Sequence, residues 1–431
     1  MLRLIKILLI FLVLLLLSGF AIFIASLDSE PLVVVSSGEQ VNEAESVQAL
    51  LTQLSQSVKN RTRFQNIPIS EKQLNSLVGF AQRANGKIHG QAKIRPQAST
   101  LSISYELPDN PFGNYINVSV VVLPGLGLKI SEVNFGRFSV PGEYALATVV
   151  WLADWWTKSD IASQFIAQVE GVEMFDSSLM LTLHPLDEFL KELNYLQQGL
   201  SVNNDDEQRQ KTAHYLKFIA ELGLGSNRNA LSLGRFMGPV FAETLRISTP
   251  ATAVKENEAA ILALAIYAGH HRFANFIGDV QPVRGKVALP RKRPVLADRA
   301  DLNQHFIFSA AIKVLSEQGM SAAIGEFKEL MDRANGGSGF SFVDLTADFA
   351  GVEFAQAATD PLHAQHVQQV LANNIEESAF FPPVNGLPEG MSKAVFSQQF
   401  GSVDSTEYLS MVEEIRQRIM RLPIYTYAIS I

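Results

Sequence analysis

The chain contains no cysteine. Disulfides, thiol nucleophiles, Cys-ligated zinc and lipid anchors on cysteine are therefore excluded. It is also poor in charge: Asp, Glu, Lys and Arg make up 18% of its 431 residues, and acids outnumber bases 43 to 35. A formal net charge of −8 leaves no net basic face of the kind a general nucleic-acid binder needs, so no nucleic-acid partner is expected. Familiar catalytic signatures are missing too: there is no Gly-rich phosphate loop, no His-Glu-x-x-His and no Gly-x-Ser-x-Gly. Apolar residues are plentiful. At 47% hydrophobic the chain is neither disordered nor collagen-like, and its length suits two or three domains with cores of ordinary size.

The longest apolar run is at the start. Ile7–Leu27 carries no charge, and 21 helical residues would span roughly 30 Å, about one hydrocarbon core. Arg3 and Lys6 precede it, and Asp28 and Glu30 follow. By the positive-inside rule this pattern predicts an uncleaved transmembrane anchor over residues 1–27, N-terminus inside, with 28–431 in the periplasm or extracytoplasmic space. A cleaved signal peptide is the rival, with Ala21 and Ala25 as weak cleavage positions. The next longest apolar stretch, Ala259–Gly269, is too short to span.

Beyond the run, periodicity divides the chain. Residues 28–69 read as a stalk followed by a helix over Val41–Val58. Residues 70–142 read as a small α+β domain. Ser70 and Gln73 form a capping box that opens a helix with Leu74, Leu77, Val78 and Ala81 on one face. From Lys87 to Val140 the period becomes 2: Leu101, Ile103, Tyr105 and Leu107 alternate with polar residues, as do Ile116, Val118, Val120 and Val122. Turn formers at Pro108–Pro111, Pro124-Gly125 and Pro141-Gly142 separate the runs. This predicts a small antiparallel sheet with one face covered by helices. Residues 143–431 read as an all-helical domain. Trp151, Trp155 and Trp156 sit in its first helix, where packing against the sheet is the leading reading and an interfacial belt beside a membrane the other. A basic, Pro-rich stretch between Asp279 and Asp301 contains Arg284, Lys286, Arg291, Lys292, Arg293 and Arg299. It suits an exposed loop, or contact with lipid phosphates or an anionic polymer.

Candidate chemistry concentrates at 301–351. Asp301 and His305 are four apart, Glu329 and Asp332 three apart, and Asp344 and Asp348 four apart, so each pair shares a helix face. An imidazole with several carboxylates suits a divalent metal, with Asp301, His305, Glu329, Asp332 and Asp348 as ligands, or an acid/base site built on His305, Glu329 and Asp332. Structural alternatives exist: Asp301 with Gln304 can cap its helix, Ser341-x-x-Asp344 is a capping box, Glu329 can pair with Arg333, and Gly336–Gly339 reads as a C-cap and turn. Two further histidine pairs are weaker. His270-His271 suits dipole stabilisation at a helix C-terminus, and His363 with His366 has no nearby acid for a shared metal.

The order Asp301-x-x-x-His305-Phe306, Lys328-Glu329-x-x-Asp332, Gly337-Ser338-Gly339-Phe340-Ser341 and Asp344 resembles the pattern of the YfiM-type envelope lipoproteins and, more loosely, the VanZ-like membrane proteins. The resemblance covers 301–351. It departs from the lipoprotein form in lacking a lipidated cysteine and in the 300 residues that precede it. It implies a polar site in the cell envelope and no particular reaction.

The expected architecture is α+β: a single N-terminal transmembrane helix, a small antiparallel sheet backed by helices, and a larger helical C-terminal domain. The expected function is a membrane-anchored, non-catalytic assembly or lipid-binding factor of the envelope. The alternative is a metal- or carboxylate-dependent hydrolase acting on an envelope polymer or lipid.

Overall fold

The computed structural model describes residues 23–41, 45–193, 206–277, 280, 289–315 and 338–426. The chain divides into two units, Met1–Leu193 and Asn194–Ile431.

Unit 1 holds two antiparallel sheets. The first runs β3 (Ile88–Ile94), β4 (Ser99–Glu106), β5 (Tyr115–Leu123), β7 (Lys129–Phe135) and β8 (Phe138–Pro141), with β1 (Leu27–Asp28) pairing on β5. The second runs β2 (Gln65–Ser70), β10 (Ser178–Leu183), β9 (Val169–Phe175) and β6 (Gly125–Leu126). Its helices are α1 (Ser37–Val41), α2 (Glu45–Lys59), α3 (Glu71–Ala84), α4 (Gly142–Thr157) and α5 (Ile161–Ala167). The capping box forms as expected: Ser70 Oγ accepts from Gln73 N–H at 3.2 Å, and Gln73 Oε1 accepts from Ser70 N–H at 2.8 Å.

Three expectations need correction here. The apolar run does not end as a helix: residues 23–25 are helical, but Leu27 and Asp28 register with Ile116 and Tyr115 as β1. No helix among the described residues is long and apolar enough to cross a membrane. The expected single N-terminal transmembrane helix is therefore not supported by the described residues, and residues 1–22 of the expected span lie outside them. Second, helices cover the apolar sheet face only in part: on β3, Ala92 and Ile94 are buried and a Cβ on Gly90 would meet Val78 of α3, whereas on β4 Leu101, Ile103 and Tyr105 alternate as anticipated yet stay exposed. On β4 and β5 the buried residues are polar: Ser99, Ser104 and Asn117. Ser104 Oγ accepts from the Leu32 and Val33 amides, and Asn117 donates to Asp28 and the Glu30 carbonyl, so the segment after β1 crosses the other face. Third, the stretch beyond Gly142 is not all helical, because β9 and β10 return to the second sheet through β2.

Unit 2 is helical. Its helices are α6 (Asp206–Glu221), α7 (Gly234–Ile247), α8 (Ala253–Leu264, continued by one π turn to Gly269), α9 (Ala300–Leu315), α10 (Phe342–Thr359), α11 (Ala364–Asn373), α12 (Lys393–Phe400) and α13 (Thr406–Met420). Helix α10 lies at its centre: of its residues only Phe349, Glu353, Gln356 and Thr359 escape full burial. An aromatic cluster of Phe340, Phe342, Phe396, Phe400 and Tyr408 closes one side, with ring centroids 4.6–6.2 Å apart. Buried amides tie α8 to α11: Asn257 donates to the Ala358 and Ala364 carbonyls, and Gln368 donates to Asn257 Oδ1.

Candidate functional site

The site is set by a close approach of two helices. A Cβ on Gly351 of α10 would lie 2.1 Å from the Phe306 carbonyl oxygen of α9, so only glycine permits this spacing. At its start, α10 is capped as the spacing predicted, Ser341 Oγ accepting from the Asp344 amide at 3.0 Å. Gly339, two residues earlier, has φ +85°, and its α-carbon lies against the Gly390 backbone. That left-handed turn launches α10 with Asp344 and Asp348 on the face toward α9.

His305 and Ser309, one turn apart on α9, meet this face. His305 Nδ1 lies 3.0 Å from Asp348 Oδ2, and Ser309 Oγ donates to Asp348 Oδ1 at 2.7 Å. A carboxylate only accepts, so Nδ1 is the donor. His305 Nε2 lies 3.8 Å from Asp344 Oδ2, within ion-pair range. The side chains of His305, Asp344 and Asp348 are 11%, 11% and 5% exposed.

Arg299, just before α9, completes the cluster. Its guanidinium contacts Asp301 at 2.6 Å, Asp344 at 3.0 Å and Glu389 at 2.7 Å. The Arg299 hydrogen bonds hold the Asp301 carboxyl below its ordinary range despite partial burial. The same partners, Asp301 first, push the guanidinium pKa up.

The expected ligand set is thus only partly assembled. Structure brings together His305 and Asp348. Asp301 is drawn off by the forked guanidinium two residues before it. Glu329 and Asp332 lie outside the described residues. Among the described residues no group of three His, Cys, Asp or Glu side chains converges to hold a metal. Arg299 is no lipid-facing loop residue but the hub of three carboxylates, and Ser309 and Glu389 join the cluster without having been anticipated. Spacing offered one clue to Ser309, four residues after His305. It offered none to Glu389.

Among the described residues the other histidine pairs join no group that could hold a metal. Contrary to the expectation of no nearby acid, His363 Nδ1 pairs with Asp360, three residues before it, at 3.4 Å, whereas His366 Nε2 meets the Pro423 carbonyl at 3.3 Å. His270 and His271 stack at 4.5 Å.

An imidazole held at Nδ1 by one carboxylate, with Nε2 turned to another, can take up a proton at Nε2 or hold two helices together through ionic hydrogen bonds. Comparisons with protein-family models, with curated proteins and with solved structures find no match.

Proposed function

We propose that the chain is a non-catalytic assembly or lipid-binding factor of the cell envelope. In this reading the cluster around His305 fixes the register of α9 on α10 and performs no turnover. One observation carries it: both oxygens of the buried Asp348 carboxylate are engaged by consecutive turns of α9, through His305 and Ser309. A carboxylate so occupied is a clamp between helices, and a buried network with its members paired specifies one packing. The resemblance of 301–351 to envelope lipoproteins supports the envelope placement.

The test compares His305→Ala with His305→Asn in the full chain. An asparagine amide can replace the Nδ1 donor to Asp348 but supplies no base or metal ligand in place of Nε2. The expected result is a stability loss of about 2–4 kcal/mol for alanine, with partial recovery for asparagine. If the alanine variant keeps its stability while a divalent metal bound by the parent chain is lost, the hydrolase reading takes over.

A further inference from the structure

Helix α4 breaks the usual rule for a surface helix. Its exposed arc carries Tyr144, Val149, Trp151, Leu152, Trp155 and Trp156. At 100° per residue these positions sweep about 160°, wider than the roughly 100° apolar stripe that one packed neighbour covers. Tyr144 is 64% exposed, and Trp151, Trp155 and Trp156 are 63%, 69% and 81% exposed.

The arc carries no charge. The helix's two acids, Glu143 and Asp154, fall outside it, and Asp154 is occupied. It accepts from the Ala162 and Ser163 amides and the Ser163 hydroxyl, so it serves as the cap of α5. Its carboxyl is held below the ordinary range by these bonds, the Ser163 hydroxyl foremost. The arc's one aliphatic hydroxyl, on Thr148, donates back to the Tyr144 carbonyl at 2.7 Å. What the arc offers outward is hydrocarbon and ring surface tipped by indole N–H and phenol O–H groups.

We infer that this arc of α4 docks into the headgroup–acyl boundary of a lipid bilayer. The inference deepens the lipid-binding reading above and rests on it. Three features select lipid over a second copy of the chain. The arc is wider than the face a partner helix covers at 8–10 Å, whereas a fluid phase surrounds it fully. Its composition, tryptophan and tyrosine with apolar residues between, is that of membrane-interface belts. Its one aliphatic hydroxyl is satisfied within the helix, as burial in hydrocarbon requires. The three tryptophans alone expose on the order of 500 Å², in the range of the largest apolar patch of a typical monomer. Because the arc is uncharged, docking should depend little on anionic lipid or on salt.

The chain supplies its own probe. All three of its tryptophans lie on this arc, so the indole fluorescence of the full chain reports α4 whatever the rest of the molecule does. The full chain is mixed with phosphatidylcholine vesicles whose acyl chains are brominated. The expected result is a blue-shifted emission and about a twofold or greater drop in intensity, retained at high salt. Trp155→Glu with Trp156→Glu should abolish quenching of Trp151 while leaving the circular dichroism unchanged. Indoles open to aqueous iodide and untouched by bromolipid would overturn the inference. So would indoles shielded from both quenchers in a Val149→Cys chain that forms a disulfide-linked dimer, since a second copy would then cover the arc. Neither outcome bears on the His305 comparison, so the two readings fail separately.

Discussion

His305 Nδ1 and Asp348 Oδ2 meet at 3.0 Å across the α9–α10 interface, at the level where Gly351 lets the two backbones touch. The ionic contact and the close approach depend on each other. Without the glycine the helices stand apart, and without the pair one oxygen of the buried Asp348 carboxylate loses its His305 donor.

Gly351→Ala should therefore be among the most damaging small substitutions in unit 2. The added Cβ meets backbone, which cannot swing away as a flexible side chain would. A loss of about 3 kcal/mol or more is expected in denaturant unfolding.

Arg299→Gln removes the cation shared by Asp301, Asp344 and Glu389. A loss of roughly 1–3 kcal/mol at neutral pH is expected. The pH dependence follows from Asp301, whose folded-state pKa is lowered by Arg299. Its contribution is present above the unfolded carboxylate range, about 4, and is lost as pH falls through the folded value. Unfolding curves of parent and variant should converge in acid and diverge toward neutrality.

Glu353 on α10 has the opposite sign. Burial raises its pKa, opposed only in part by Arg416. The folded state holds the proton more tightly than the unfolded one, so stability falls as pH rises from the unfolded value through the folded value. Glu353→Gln should raise the melting temperature at neutral pH and change little in acid. A variant that melts lower at neutral pH would show an ionised Glu353 in a favourable contact.

The legible parts of the fold are those decided locally. The Ser70 and Ser341 caps, the strand alternation over 88–135 and most helices of unit 2 follow from spacing that acts within a few residues. The face a strand buries is not local. Leu101, Ile103 and Tyr105 alternate faultlessly, yet the segment after β1 covers Ser104 and Asn117 on the other side. The bounds of helix α12 are not legible in this way, because its eight residues, Lys393–Phe400, show too little amphipathic pattern. At the site, spacing singled out His305 and Asp348 but misassigned Asp301, since helical periodicity cannot say that Arg299 will fork onto that carboxylate. Glu389 arrives from 90 residues beyond Arg299, a separation no local rule spans. The tryptophans were expected to pack on the sheet by the usual fate of aromatic residues, and α4 turns them outward instead.

The most direct measurement is a double-mutant cycle on His305→Ala and Asp348→Ala, read by denaturant unfolding of the full chain. If the pair clamps α9 to α10, each single variant should lose stability, and the double should lose less than their sum, with a coupling energy of about 1–3 kcal/mol. Additivity within about 0.3 kcal/mol, with both single variants as stable as the parent, would contradict a structural role for the cluster.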